Sequence, residues 1–151
     1  MRASTILALG AAGLVAAAPI ASDDSCDNDN KGGDNYGEFA VNKFVFGCTA
    51  GCYYSFDTAF QSDNQWHCEG SLEDKDYVEC KGDTKGETYY AYIDTTTDKN
   101  ILKLQYEVTD VDAGTRSNFY GEDQVYAATS SDADKQEDNF SVVATSKTSV
   151  A

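Results

Sequence analysis

The sequence predicts an all-β domain: a compact antiparallel β-barrel, or sandwich, of about seven to eight short strands stapled by disulfides. Three observations lead there. Ten Tyr and seven Phe stand against one Met and one Trp, and aromatics of this kind pack on half-buried pleated surfaces rather than in helix bundles. Short runs of alternating polarity recur with turn-forming clusters between them, and no segment shows helical periodicity. Four of the five cysteines fall beside or within these runs. Closure into a barrel removes exposed strand edges, which makes the barrel the preferred form.

The chain has 151 residues, the size of one domain. Its ends read differently from its middle. Met1-Arg2 is a positive start, Ile6 to Ala18 an uncharged apolar stretch, and Ala16-Ala17-Ala18 a small-residue cleavage signal, the order of a secretory signal peptide over 1–18. The apolar run is about thirteen residues, short of the roughly twenty that cross a hydrocarbon core. A mature chain starting near Pro19 loses Arg2 and no acid, which takes the formal net charge from −15 to −16. Such a surface repels polyphosphate and anionic lipid, so neither nucleic acid nor membrane is an expected partner. The reading is a secreted, extracellular protein with an acidic flexible arm over 19–37, a barrel over 38–144 and a polar tail over 145–151.

The first strand opens near Glu38. Phe39, Val41, Phe44 and Phe46 are apolar but slip phase between 41 and 44, the mark of a bulge within one strand. In Tyr53–Phe60, Tyr54, Phe56 and Phe60 face one way and Ser55 and Asp57 the other. Short strands follow around Trp66–Glu69, Tyr77–Cys80 and Tyr89–Asp94. Thr95–Asn100 is a polar turn, and Ile101–Val108 alternates Leu102, Leu104, Tyr106 and Val108 against Lys103, Gln105 and Glu107. Weaker strands are expected at Gln124–Ala128 and Asn139–Ala144, separated by an acidic loop over 129–138.

Cys48 and Cys52 bracket Thr49-Ala50-Gly51 between two aromatic-rich runs, so their bridge would pin a hairpin. Cys68 and Cys80 then close a loop around Glu69 to Glu79. Zinc is the rival reading, but zinc wants four Cys/His ligands in paired short spacings, and an exported protein meets an oxidising compartment. Cys26 is left over in the acidic arm, and an odd thiol there is a candidate for an interchain disulfide and a covalent homodimer.

Phe39-Ala40-Val41-Asn42-Lys43-Phe44, Cys48, Cys52-Tyr53-Tyr54-Ser55-Phe56-Asp57, Cys68, Cys80, Ile101-Leu102-Lys103-Leu104 and Asn139-Phe140-Ser141-Val142 together form a pattern. It resembles the Alternaria major-allergen family over roughly 38–144. The resemblance implies a small secreted fungal β-barrel in which Cys68 and Cys80 form the family's bridge, and an effector-like or allergenic role without an established enzymatic activity. In some members that role is the binding of host extracellular defence proteins of the thaumatin-like class, and larger members look like dimers linked through an amino-terminal cysteine. The chain departs from founder-type members in lacking their further carboxyl-terminal disulfide.

The residues offer little catalytic chemistry. His67, the only histidine, lies between Trp66 and Cys68 and reads as a half-exposed strand residue rather than a general base. A guanyl-specific ribonuclease needs two histidines with Glu and Arg, and only Arg2 and Arg116 are present as arginines. A glycosidase needs only two carboxylates at about 5 to 9.5 Å, a condition that 26 acids meet by chance. Asp27–Glu38 imitates a calcium loop, with acids at its first and third positions, but Lys31 interrupts it and no flanking helices are expected. Asn139-Phe140-Ser141 is an N-glycosylation sequon placed in a predicted strand. Adjacent tyrosines such as Tyr53/Tyr54 and Tyr89/Tyr90 put one ring in and one out, and Tyr53 and Tyr89 are taken as a contact patch. The expectation is a binding protein with no catalytic residue, metal or cofactor; the alternative is a small secreted hydrolase, glycosidase- or ribonuclease-like.

Overall fold

A computed structural model describes residues 34–150. Eight antiparallel strands form one sheet: β1 (Glu38–Cys48), β2 (Cys52–Phe60), β3 (Trp66–Ser71), β4 (Val78–Glu79), β5 (Glu87–Asp94), β6 (Asn100–Asp110), β7 (Thr115–Val125) and β8 (Phe140–Val150). Their order around the sheet is β3-β2-β1-β8-β7-β6-β5-β4. Every strand except β3 therefore lies beside the one that follows it in sequence, and the antiparallel pairing of β8 with β1 joins the two halves.

The outer strands of that order, β3 and β4, meet. His67 and Lys81 exchange two backbone hydrogen bonds, at 2.9 and 2.7 Å, and Cys68 bonds to Cys80 beside them. The sheet is thus nearly closed into a barrel, and a covalent latch sits at its seam. The second bridge, Cys48–Cys52, staples the β1–β2 hairpin. Its turn includes Gly51 at a φ of 111°, where a Cβ would be strained.

Aromatics fill the interior as the alternation predicts. Phe39, Phe44, Phe46, Tyr54, Phe56 and Tyr89 are all buried. Phe60 links two layers, with ring centroids 4.8 Å from Phe39, 5.0 Å from Tyr106 and 4.9 Å from Phe119. Such tilted contacts suit the ring quadrupoles.

The expected bulge in β1 has a structural purpose. Lys43 takes a φ of 53°, and the register to β2 slips between Asn42 and Val45. Before the bulge, Glu38–Val41 pairs with β8. After it, β1 is bordered by the β7–β8 connection instead: Phe44 N–H donates to Asp138 O at 2.9 Å and Ala128 N–H to Phe46 O at 2.8 Å. Gln136 Nε2 donates to Phe46 O at 2.8 Å and to Tyr126 O at 2.9 Å. The bulge marks the point at which the neighbour of β1 changes.

Three expectations need correction. The strand expected at Gln124–Ala128 is the end of a longer β7 that begins at Thr115. Thr115–Gln124 lacks apolar alternation because β7 takes its place by backbone pairing to β6, from Asp110↔Thr115 to Asn100↔Val125. The expected polar tail continues β8 to Val150, paired to Arg116–Tyr120 with its side chains exposed. At the other end of the barrel domain, Tyr36 and Gly37 are tied to Ala144 by backbone bonds of 3.0 and 2.8 Å rather than belonging to a free arm. The signal segment, the rest of the arm and Cys26 lie outside the described residues.

Candidate functional site: the outer face of β1–β3

Strand register builds a grid on the outside of the barrel. On β2 the outward residues are Tyr53, Ser55 and Asp57. Tyr53 is flanked by Gly47 of β1 and Ser71 of β3, Ser55 by Val45 and Glu69, and Asp57 by Asn42 and His67. One end of this face is apolar and the other ionic.

At the ionic end charges run across three strands and on to Lys81, just past β4. Asp57 accepts from Lys43 Nζ through Oδ2 at 2.9 Å, and its Oδ1 lies 2.9 Å from His67 Nδ1. His67 Nε2 is 3.5 Å from Ser55 Oγ and 3.7 Å from Glu69 Oε2, and Glu69 pairs in turn with Lys81. His67 and then Lys43 hold the Asp57 carboxyl below its ordinary range. Lys81 does the same for Glu69. With the Asp57 carboxylate facing it, Nδ1 carries a proton and donates; a neutral ring then presents Nε2 as an acceptor toward Ser55.

Ser55, His67 and Asp57 therefore stand in the order of a serine-hydrolase triad. Sequence reasoning missed this group, although the five residues Gln61–Gln65 between β2 and β3, folded as a hairpin, would have placed Asp57 opposite His67. The surroundings differ from those of an acyl-transfer site. Such a site aims N–H donors at a developing oxyanion, whereas β2 is ladder-paired on both sides at Ser55. The His67 side chain is 43% exposed on an open strand face. The same contacts bind β1, β2, β3 and the β4 flank to one another across the barrel seam.

At the apolar end Tyr53 is 52% exposed and Val45 is exposed beside it. The cross-strand neighbour of Tyr53 on β1 is Gly47, which offers no side chain to pack on the ring. A groove of about 590 Å³ runs past Tyr53, lined also by Ser55, Glu69, Ser71 and Asp74.

Tyr89 does not belong to this patch. It is 1% exposed, its hydroxyl accepts the Phe60 N–H at 2.8 Å, and its ring lies 5.3 Å from Trp66 and 4.7 Å from Tyr106. The phase of β5 decides this: Tyr89, Ala91 and Ile93 face inward, which turns Tyr90 and Tyr92 outward. Tyr92 is in turn covered by Tyr77, at 5.0 Å, and by the Lys103 ammonium. Among the described residues no three His, Cys, Asp or Glu side chains are placed to hold a metal ion. Nor is any helix among them long and apolar enough to cross a membrane.

No protein-family model matches the chain, and no curated protein or solved structure is significantly similar to it.

Proposed function

We propose that the chain is a secreted fungal effector- or allergen-like protein that acts by binding host extracellular proteins, with thaumatin-like defence proteins as one class of target. The supporting observation is the Tyr53–Val45 end of the β1–β3 face. A rigid aromatic with a polar tip lies on an open, strand-built face beside an exposed valine and at the edge of a groove, with Ser55, Glu69 and Ser71 around it. This is the anatomy of a contact patch, an apolar centre with a polar rim. A buried tyrosine anchor contributes about 2 kcal/mol or more to such contacts, so Tyr53→Ala should weaken binding to a purified thaumatin-like protein about 30-fold. His67→Ala should leave it within a factor of a few. Absence of binding by the wild-type protein, or equal binding by Tyr53→Ala, would refute the assignment.

The second reading, a secreted hydrolase, draws on the Ser55–His67–Asp57 line alone. Its signature would be covalent labelling of Ser55 by a fluorophosphonate, abolished by His67→Ala in a folded protein.

A further inference from the structure

We propose that Asn139 carries an N-linked glycan. Asn139-Phe140-Ser141 is the only N-x-Ser/Thr sequon in the chain. The sequence alone places it within a strand, but the structure puts Asn139 just ahead of β8, in an exposed bend. Ser141 is exposed as well, on the outward side of β8.

The asparagine amide is already divided between two tasks. Its Oδ1 accepts the backbone N–H of Lys43 at 3.3 Å, the residue that holds the left-handed bulge conformation in β1. That leaves Nδ2 as the atom for a sugar. Glycosylation keeps the side-chain carbonyl and replaces one N–H of Nδ2, so the acceptor that caps the bulge survives the modification. In the transfer, Nδ2 bonds to the anomeric carbon of a lipid-linked oligosaccharide pyrophosphate. The carbon–oxygen bond to pyrophosphate breaks, the pyrophosphate leaves with the electron pair, and one amide proton is lost to the transferase base. The donor belongs to the secretory route, so the inference rests on the reading of residues 1–18 as an export signal.

The test is expression of the full chain, with its own amino terminus, in a eukaryotic secretory host, followed by mass spectrometry of the product before and after an amidase that releases N-glycans. The expected result is a hexose-rich mass excess that disappears on treatment and leaves aspartate at position 139. Ser141→Ala should remove the excess without touching the Lys43–Asn139 bond, and Ser141→Thr should keep it. Asn139→Gln would also remove the sugar but displaces the bulge acceptor, so Ser141→Ala is the decisive variant. Secreted wild-type protein with unmodified Asn139, or the same mass for wild type and Ser141→Ala, overturns the glycan alone. A chain retained in the cytosol with residues 1–18 intact overturns the glycan and the secretion reading together.

Discussion

The two disulfides look equivalent on paper, but the structure predicts very different consequences for their loss. Cys48 and Cys52 are separated by 4 positions and Cys68 and Cys80 by 12. On chain entropy alone, bridges of these spans restrict the unfolded chain by about 2 and about 3 kcal/mol respectively. Their surroundings widen the gap. Cys48 is exposed and Cys52 only half-buried, so alanine there leaves no cavity, and the β1–β2 hairpin remains ladder-paired from Phe39↔Phe60 onward. Cys68 and Cys80 are buried in the core, and removing each sulfur deletes roughly a methylene's worth of packing, about 1 kcal/mol apiece. Cys68→Ala/Cys80→Ala should therefore cost about 5 kcal/mol and Cys48→Ala/Cys52→Ala about 2. At about 4 °C per kcal/mol for a domain of this size, melting should fall by about 20 °C and about 8 °C. Hydrogen exchange supplies the structural readout: the His67 and Lys81 amides at the seam should lose protection in the first variant and keep it in the second. Equal losses in the two variants, or retained protection at the seam without the latch, would refute the view that this bridge closes the barrel.

Three further outcomes follow from particular residues. Thr58 is completely buried and its hydroxyl has no hydrogen-bond partner, so Thr58→Val, which removes an unmet polar group at constant shape, should stabilise by about 1 kcal/mol in a urea melt. Asp57, Glu69 and Asp94 all have lowered pKa values, Asp94 to about 2 through Lys103 and the Thr96 N–H and hydroxyl. A carboxylate with a depressed folded-state pKa contributes stability that is complete above its unfolded value and is lost as pH falls through its folded value. Stability should thus decline from about pH 4 toward pH 2, and Asp94→Asn should decline less steeply when melts are compared across that window. Finally, secreted protein should run as a covalent dimer on non-reducing gels and as monomer with reductant or as Cys26→Ser; monomer in both lanes from a fresh preparation would defeat that proposal.

Period-two alternation made β2 and β6 legible directly, since one face of each meets the core and the other meets water. The bulge in β1 was legible as a slip of phase, and the cysteine pairs as spacing. Register was not legible, because it depends on which backbone lies opposite and not on any residue's own preference. That is why β7, with few apolar residues, and the last residues of β8, with exposed side chains, passed for loop and tail: their strand character comes from pairing with each other and with β6. It is also why Ser55, Asp57 and His67 do not read as one group, whereas the inward place of Tyr89 follows from the phase it shares with Ala91 and Ile93. The sequence determined that the protein would be a cystine-stapled β structure with an exposed Tyr53, through composition, alternation and spacing. Only the tertiary structure decided that β3 meets β4, that Cys68–Cys80 is the latch between them, and that the charges of β1, β2 and β3 fall into line with Lys81 across the seam. Those facts depend on contacts between residues far apart in the chain.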